Sequence, residues 1–497
     1  MSNPGPKSDA PGVRGDGFAS PSLDDDRDEF AFLCVGGEGP ALDASVLVDS
    51  VHCTGDMIET ARRVREESGA DVHLFSLEHR YYGKSYPRFE DKEGGEESPV
   101  LSKNLEYLSS RQALADIAAF VSRMNGRAAG VFRPRTDGRS IRWVAFGGSY
   151  PGMLSAWSRL RFPHLIHASV SNSAPVQPRL NFSSYNDRVA ADLSNGSIGG
   201  GEECLAAMRE GHGEISILLR SGTEVERSAV AGMFRLCGGE ESLRDGRNVG
   251  MFLGDGVVRV YAQGNDPSCE GDLCNIGKLC SELLRERRSY SAMEALAVVA
   301  AKQTRGENCT DVDWSRALRY ISSPEAQEGG LRSWLWQTCT EFGFYQTCEI
   351  GSSCPFGKGF HSTDVDLEIC QVAFGIEEEM VRANIQETLD YYGGWDLGKD
   401  GGASRILSVN GDIDPWSELA LTPEHVTKNI NLEMPTFWVR GASHHYWTHP
   451  VNEMDDSTDI VTARENIYSQ VFEWIKGKEG TAQATMLKAA NLPKEAL

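Results

Sequence analysis

Three short stretches carry residue types that together could split an acyl bond. "VAFGGSYPGMLSAW", Val144 to Trp157, sets Ser149 among glycines, after an apolar run and before a helix-like one. "NGDIDPW" offers Asp412 and Asp414, and "GASHHYWTHP" offers His444, His445 and His449. A serine hydroxyl is a poor nucleophile until a base takes its proton, and an imidazole base needs a carboxylate to hold its tautomer. Gly147 and Gly148 precede Ser149 and Gly152 follows, as a sharp strand-to-helix turn requires, but Pro151 stands where the common pattern has glycine. Proline suits the first turn of a helix and leaves the Tyr150 N–H free. That N–H is a candidate donor to an oxyanion, with a second expected from "GGEGP", around Gly37.

The elements that must position these groups follow a βαβ rhythm from Glu29 onward. "FAFLCV" (Phe30 to Val35), "DVHLFSL" (Asp71 to Leu77), "IRWVAF" (Ile141 to Phe146), "RILSV" (Arg405 to Val409) and "PTFWVR" (Pro435 to Arg440) read as strands. "IETARRVREESG" and "RQALADIAAFVSRMN" read as helices, the second with Leu114, Ile117, Phe120, Val121 and Met124 on one face, and a closing helix runs from about Arg464 to Ile475. Ser149, the aspartates and the histidines then all follow strand ends, in the chain order of the α/β-hydrolases. His79 in "EHRYYGKS" also follows a strand, but it precedes Ser149 and breaks that order, so the stretch is read as a buttress.

The boundaries expected are a tail over 1–28, a first hydrolase part over 29–180, a helical cap over 181–381, a second hydrolase part over 382–478 and a tail over 479–497. Ten of the twelve cysteines fall in the cap, which predicts disulfides formed in an oxidising compartment. Cys269, Cys274 and Cys280 have no histidine pair at zinc spacing, so no metal is expected. Asn181, Asn195 and Asn308 stand in glycosylation sequons. The N-terminal stretch lacks the apolar core of a signal peptide, and no run of ~18 apolar residues suggests a membrane span. A net charge of −23 disfavours nucleic acid and anionic membrane surfaces as partners.

"GGSYPGMLSAW", "EHRYYGKS", "LSSRQALADIAAF", "WLWQTCTEFGFYQT", "NGDIDPW" and "GASHH" resemble the serine carboxypeptidase S28 family from about Phe30 to about Ile475. "GGEGP", "CTEFGFYQT" and "NGDIDPW" lean towards its thymus-specific serine protease branch rather than its Pro-X carboxypeptidase or dipeptidyl peptidase branches. The resemblance implies an α/β-hydrolase fold with an inserted, mostly helical, disulfide-rich cap. It also implies a serine exopeptidase that cuts short peptides after proline or another small residue, without a cofactor. The family's nucleophile falls on Ser149, its acid on Asp414 and its base on His444; Trp447 stands where relatives commonly have aspartate. Met153 and Trp416 match positions of the proline pocket. Trp336 belongs to a cap stretch that closes over substrate or supports the cap, and Glu38 could pair with a peptide's amino terminus. The resemblance and the cysteines together suggest a secreted, lysosomal or vacuolar enzyme, and leave room for a homodimer. An esterase and a catalytically silent binding protein are the rival readings, because fold and triad do not fix the acyl substrate.

Overall fold

The computed structural model describes residues 27–39, 41–133, 140–399, 402–428 and 433–477. The tails expected over 1–28 and 479–497 lie outside these residues, Arg27 and Asp28 excepted. Six strands form one sheet: β1 (Glu29–Val35), β2 (Asp71–Leu77), β3 (Arg142–Gly148), β4 (Ile166–Asn172), β5 (Ile406–Gly411) and β6 (Thr436–Val439). Their order is β6-β5-β4-β3-β1-β2, and every pairing is parallel.

A parallel sheet must be covered on both faces, and the apolar runs of β1 and β3 supply side chains to both. Phe30, Phe32, Cys34, Val144, Phe146, Val170 and Leu407 point to one face, where they meet the helices Glu59–Ser68 and Thr458–Lys476. Ala31, Leu33, Val35, Trp143, Ala145, Ile166 and Ile406 point to the other, against Ser110–Asn125 and Tyr150–Arg161. This two-residue alternation is the pleat of each strand expressed in sequence. The chain passes from β1 outward to β2, then crosses back over β1 to reach β3. Strand order therefore reverses between β1 and β3, and a crevice opens at their carboxyl ends. The loop after β1 and Ser149 after β3 meet there.

Between β4 and β5 the chain forms a helical, disulfide-rich cap. The helices Ser184–Ser194, Glu202–Ser221, Ile276–Glu286 and Ala292–Gln303 bury a core of their own around Met208, Ile215, Leu279 and Leu296. Its later part packs on the loop after β2, where Tyr81, Tyr82, Leu105 and Leu108 meet Trp314, Leu367, Phe374 and Ile385. All twelve cysteines are paired: Cys34–Cys53, Cys204–Cys280, Cys237–Cys309, Cys269–Cys274, Cys339–Cys370 and Cys348–Cys354. Among the described residues no helix is long and apolar enough to cross a membrane.

Cys34–Cys53 ties the end of β1 to the loop before the helix Glu59–Ser68, across 19 residues. Closing a loop of that length should contribute about 3 kcal/mol by restricting the unfolded chain. Replacing both cysteines by alanine is expected to lower the urea midpoint of the oxidised protein accordingly; an unchanged midpoint would show that the bridge is idle.

Candidate active site

Ser149 follows β3 and caps the helix Tyr150–Arg161 with φ 62° and ψ −133°, a conformation L-residues rarely adopt. Its N–H donates to Asn172 O (2.9 Å) and its carbonyl accepts from Met153 N–H (3.1 Å), so both sides of the turn are fixed. The glycines supply the room. A Cβ on Gly147 would lie 2.3 Å from Pro151 O, and one on Gly152 2.8 Å from Asn172 O. A Cβ on Gly37 would lie 2.5 Å from Pro151 Cγ and 3.2 Å from Tyr150 Cδ1. Pro151 thus fills space that glycine leaves open in the common pattern, and the bare residue facing it is Gly37 on the neighbouring loop.

Asp414 follows β5 and caps the short helix Pro415–Leu419, its Oδ1 accepting Trp416 N–H at 3.0 Å. Its Oδ2 accepts His444 Nδ1–H at 2.8 Å, and the carboxylate is wholly buried. His444 Nε2 is buried too, with no hydrogen-bond partner among the described residues. An imidazole that donates from Nδ1 and is bare on Nε2 has the tautomer that can accept a proton there. Gly411 allows this meeting, because a Cβ there would lie 2.1 Å from Ala442 O. Asp412 accepts Gly441 N–H at 2.7 Å and so works in the turn.

The histidine loop is held from three sides. The cap contributes Gln263, whose carbonyl accepts His444 N–H (3.1 Å) and whose side chain accepts Trp416 Nε1–H (3.0 Å). His445, at φ 39°, donates its N–H to Ser173 Oγ (2.9 Å); burial and the neighbouring His444 keep its ring neutral, well below the usual imidazole range. Trp447, fully buried, donates Nε1–H to Asn172 Oδ1 (2.8 Å), and Asn172 Nδ2–H donates to Asp56 Oδ2 (2.8 Å). Burial pushes the Asp56 carboxyl up to about 7. The residue whose carbonyl holds Ser149 is therefore itself held by Trp447 and Asp56. Arg464 of the closing helix donates to the Trp447 carbonyl (2.9 Å) and the His449 carbonyl (3.1 Å).

His79 proves to be a buttress. Its Nδ1–H donates to Arg80 O (2.6 Å), leaving Nε2 to accept the Tyr150 hydroxyl (2.9 Å). Burial lowers its pKa to about 4, so it stays neutral. Gln337 of the cap donates Nε2–H to that hydroxyl (2.9 Å) and to Glu341 Oε2 (3.1 Å), and accepts the Tyr82 hydroxyl (2.7 Å). Glu341, its carboxyl raised by burial, accepts Ser110 N–H (2.9 Å). The residue after Ser149 is thus locked to the cap by a buried polar network.

Beside Trp416 lies a cavity of about 390 Å³ with an aromatic wall of Tyr185, Trp334, Phe344 and Trp416. The Trp416 ring centroid is 6.2 Å from that of His444. Asp255, Arg259, His361 and Asp366 also line it. Burial opposes charge on His361, but its bonds to Asp255 and Asp366 prevail and raise it to about 10. Trp336 does not form this wall: it packs on Phe374 and donates Nε1–H to Leu108 O (3.2 Å), because helical spacing turns Trp334 the other way. Met153 is fully buried in the core beside Tyr150 and Phe342. Glu38 accepts the Ser149 hydroxyl at 3.4 Å. Sequence reasoning missed Asn172, Asp56 and Gln263, which belong to no motif and act through position alone.

A family model described as "Serine carboxypeptidase S28" matches residues 24–467. The chain is 34% identical over 457 residues to the thymus-specific serine protease of Mus musculus, covering 90% of this chain and 81% of that one. It is 36% identical over 416 residues to the Homo sapiens protein of the same name, covering 81% and 74%. To the lysosomal Pro-X carboxypeptidase of Bos taurus it is 25% identical over 409 residues, covering 81% and 74%.

Tyr150→Phe removes the hydroxyl between His79 and Gln337 and leaves buried groups unpaired, at an expected cost of about 1–3 kcal/mol. A lowered melting temperature checks this; an unchanged one would mean the network adds no stability.

Proposed function

The chain belongs to the serine carboxypeptidase S28 family, and on that premise we propose that it is a serine exopeptidase acting through Ser149, His444 and Asp414. The observation that carries the proposal is the buried His444–Asp414 hydrogen bond of 2.8 Å, which leaves His444 Nε2 without a partner among the described residues, while Glu38, which accepts the Ser149 hydroxyl, lies within reach of the His444 charge. Ser149 Oγ attacks the scissile carbonyl carbon as its proton passes to His444 Nε2, and the carbonyl π pair moves to oxygen. Asp414 stabilises the imidazolium that forms. When the tetrahedral intermediate collapses, His444 returns the proton to the leaving amine, and water cleaves the acyl-enzyme by the same steps. Tyr150 N–H and Gly37 N–H are the proposed oxyanion donors, set against each other by the Gly37–Pro151 contact.

The Trp416 wall suits a prolyl ring or another small apolar side chain in the P1 position, since such groups ask for contact area rather than hydrogen bonds. Beyond it, Asp255 and Asp366 outnumber the charged His361 by one, and Arg259 forms no ion pair among the described residues. Either terminus of a short peptide would find an opposite charge there.

Two peptide sets test the reading: free-N-terminal X-Pro-reporter substrates and N-blocked X-Pro-Phe. Cleavage of the first set identifies a dipeptidyl peptidase, and of the second a Pro-X carboxypeptidase. In either case Ser149→Ala should abolish turnover and Asp414→Asn should lower kcat by about 10⁴. Cleavage of neither set, or equal cleavage by Ser149→Ala, would reject the proposal.

A further inference from the structure

We propose that Glu38 acts as a neutral carboxylic acid whose O–H donates to the oxyanion, a third donor beside the backbone N–H groups of Tyr150 and Gly37. The inference rests on the peptidase reading above and assigns Glu38 a role within the same site. Its carboxyl lies beside the Ser149 hydroxyl and the Tyr150 N–H. Oε1 accepts the Ser149 hydroxyl at 3.4 Å, and Tyr150 N–H is close enough to favour the ionised form. Oε2 is buried with no hydrogen-bond partner among the described residues. A buried polar atom in a group that touches the Ser149 hydroxyl is costly unless something completes it, and an oxyanion would.

The groups facing Glu38 come from three elements. Ser149 and Tyr150 lie at the start of their helix, His444 on the loop after β6, and Tyr82 on the loop after β2. Their hydrogen bonds and the His444 charge favour the carboxylate, but burial is the larger effect and raises Glu38 to about 7. Below that pH the side chain is an acid and can donate; above it, a carboxylate would repel the developing oxyanion and hold the Ser149 proton away from His444. This also weighs against Glu38 as the acceptor of a substrate ammonium, because in acid it lacks the charge to pair with one.

The chemical step gains no new reactant. Ser149 Oγ bonds to the carbonyl carbon, its proton goes to His444 Nε2, and the carbonyl π pair goes to the oxygen that receives the Glu38 O–H hydrogen bond. Glu38 keeps its proton throughout, and on collapse the pair returns to the carbonyl.

The test compares wild type, E38Q and E38A from about pH 5 to 9, a span that crosses the Glu38 titration. It reads hydrolysis of both peptide sets and the second-order rate of phosphonylation by a fluorophosphonate, which needs no peptide. Wild type should lose rate as pH rises through about 7, the point at which Glu38 ionises. E38Q keeps an N–H donor and cannot ionise, so its rate should stay on a plateau through alkaline pH, at an acid-side reduction below about tenfold. E38A should fall by about 10²–10³-fold at acid pH, as for loss of one oxyanion donor. If E38A does not fold, the alkaline limb of E38Q decides alone. An E38Q profile that keeps the wild-type fall, or an E38Q loss confined to free-N-terminal peptides, would overturn the inference. Should wild type react with fluorophosphonate yet cut neither peptide set, the peptidase reading fails while the Glu38 profile is still read from phosphonylation.

Discussion

The site depends on one backbone conformation, the positive φ of Ser149. A non-glycine residue held there costs about 1–3 kcal/mol and persists only where its surroundings over-determine it. Here they do, through Asn172 O on its N–H, Met153 N–H on its carbonyl, and glycines at 147 and 152 that let the turn close. Pro151 alters the usual distribution of small residues around such a turn. By occupying the second position after the serine it transfers the need for a missing side chain to Gly37 on the loop after β1. The elbow and that loop therefore have to be read as one unit, and Cys34–Cys53 pins the loop's base.

The cap is part of the site as well as its cover. Gln263 fixes the His444 backbone and the Trp416 indole, and Gln337 fixes the Tyr150 hydroxyl. These bonds are buried or half-buried, where an unpaired group is expensive, so the cap's seat on the sheet and the geometry of the loops that carry Ser149 and His444 stabilise each other. Nothing comparable would follow from a lid that only excluded water.

Much of this was legible in the chain. Apolar runs of five to seven residues bounded by glycine mark buried parallel strands, and the three loops that carry Ser149, Asp414 and His444 each follow such a run. The strand Ile166–Asn172 was not legible, because "IHASVSN" puts His167, Ser169 and Ser171 into a central strand where apolar residues are the rule. Ser171 is tolerated because its hydroxyl donates to Gly152 O at 2.9 Å, a bond that periodicity cannot reveal. Missing that strand also meant missing Asn172, on which the elbow rests. Disulfide pairing was closed to sequence for a combinatorial reason. In the cap, adjacent tryptophans diverge: Trp334 faces the cavity and Trp336 the cap core, a distinction of helical phase that the motif alone does not carry. Trp447, odd against the family pattern, makes sense only once Asp56 is seen behind Asn172.

The central claim is that Ser149 is a nucleophile activated by His444. It is tested most directly by treating the folded protein with a fluorophosphonate and mapping the adduct by peptide mass spectrometry, for wild type and for His444→Ala. The account predicts a single adduct on the peptide containing Ser149, formed at least about a hundredfold more slowly when the base is removed. An adduct on another residue, or one on Ser149 that forms as fast without His444, would contradict it.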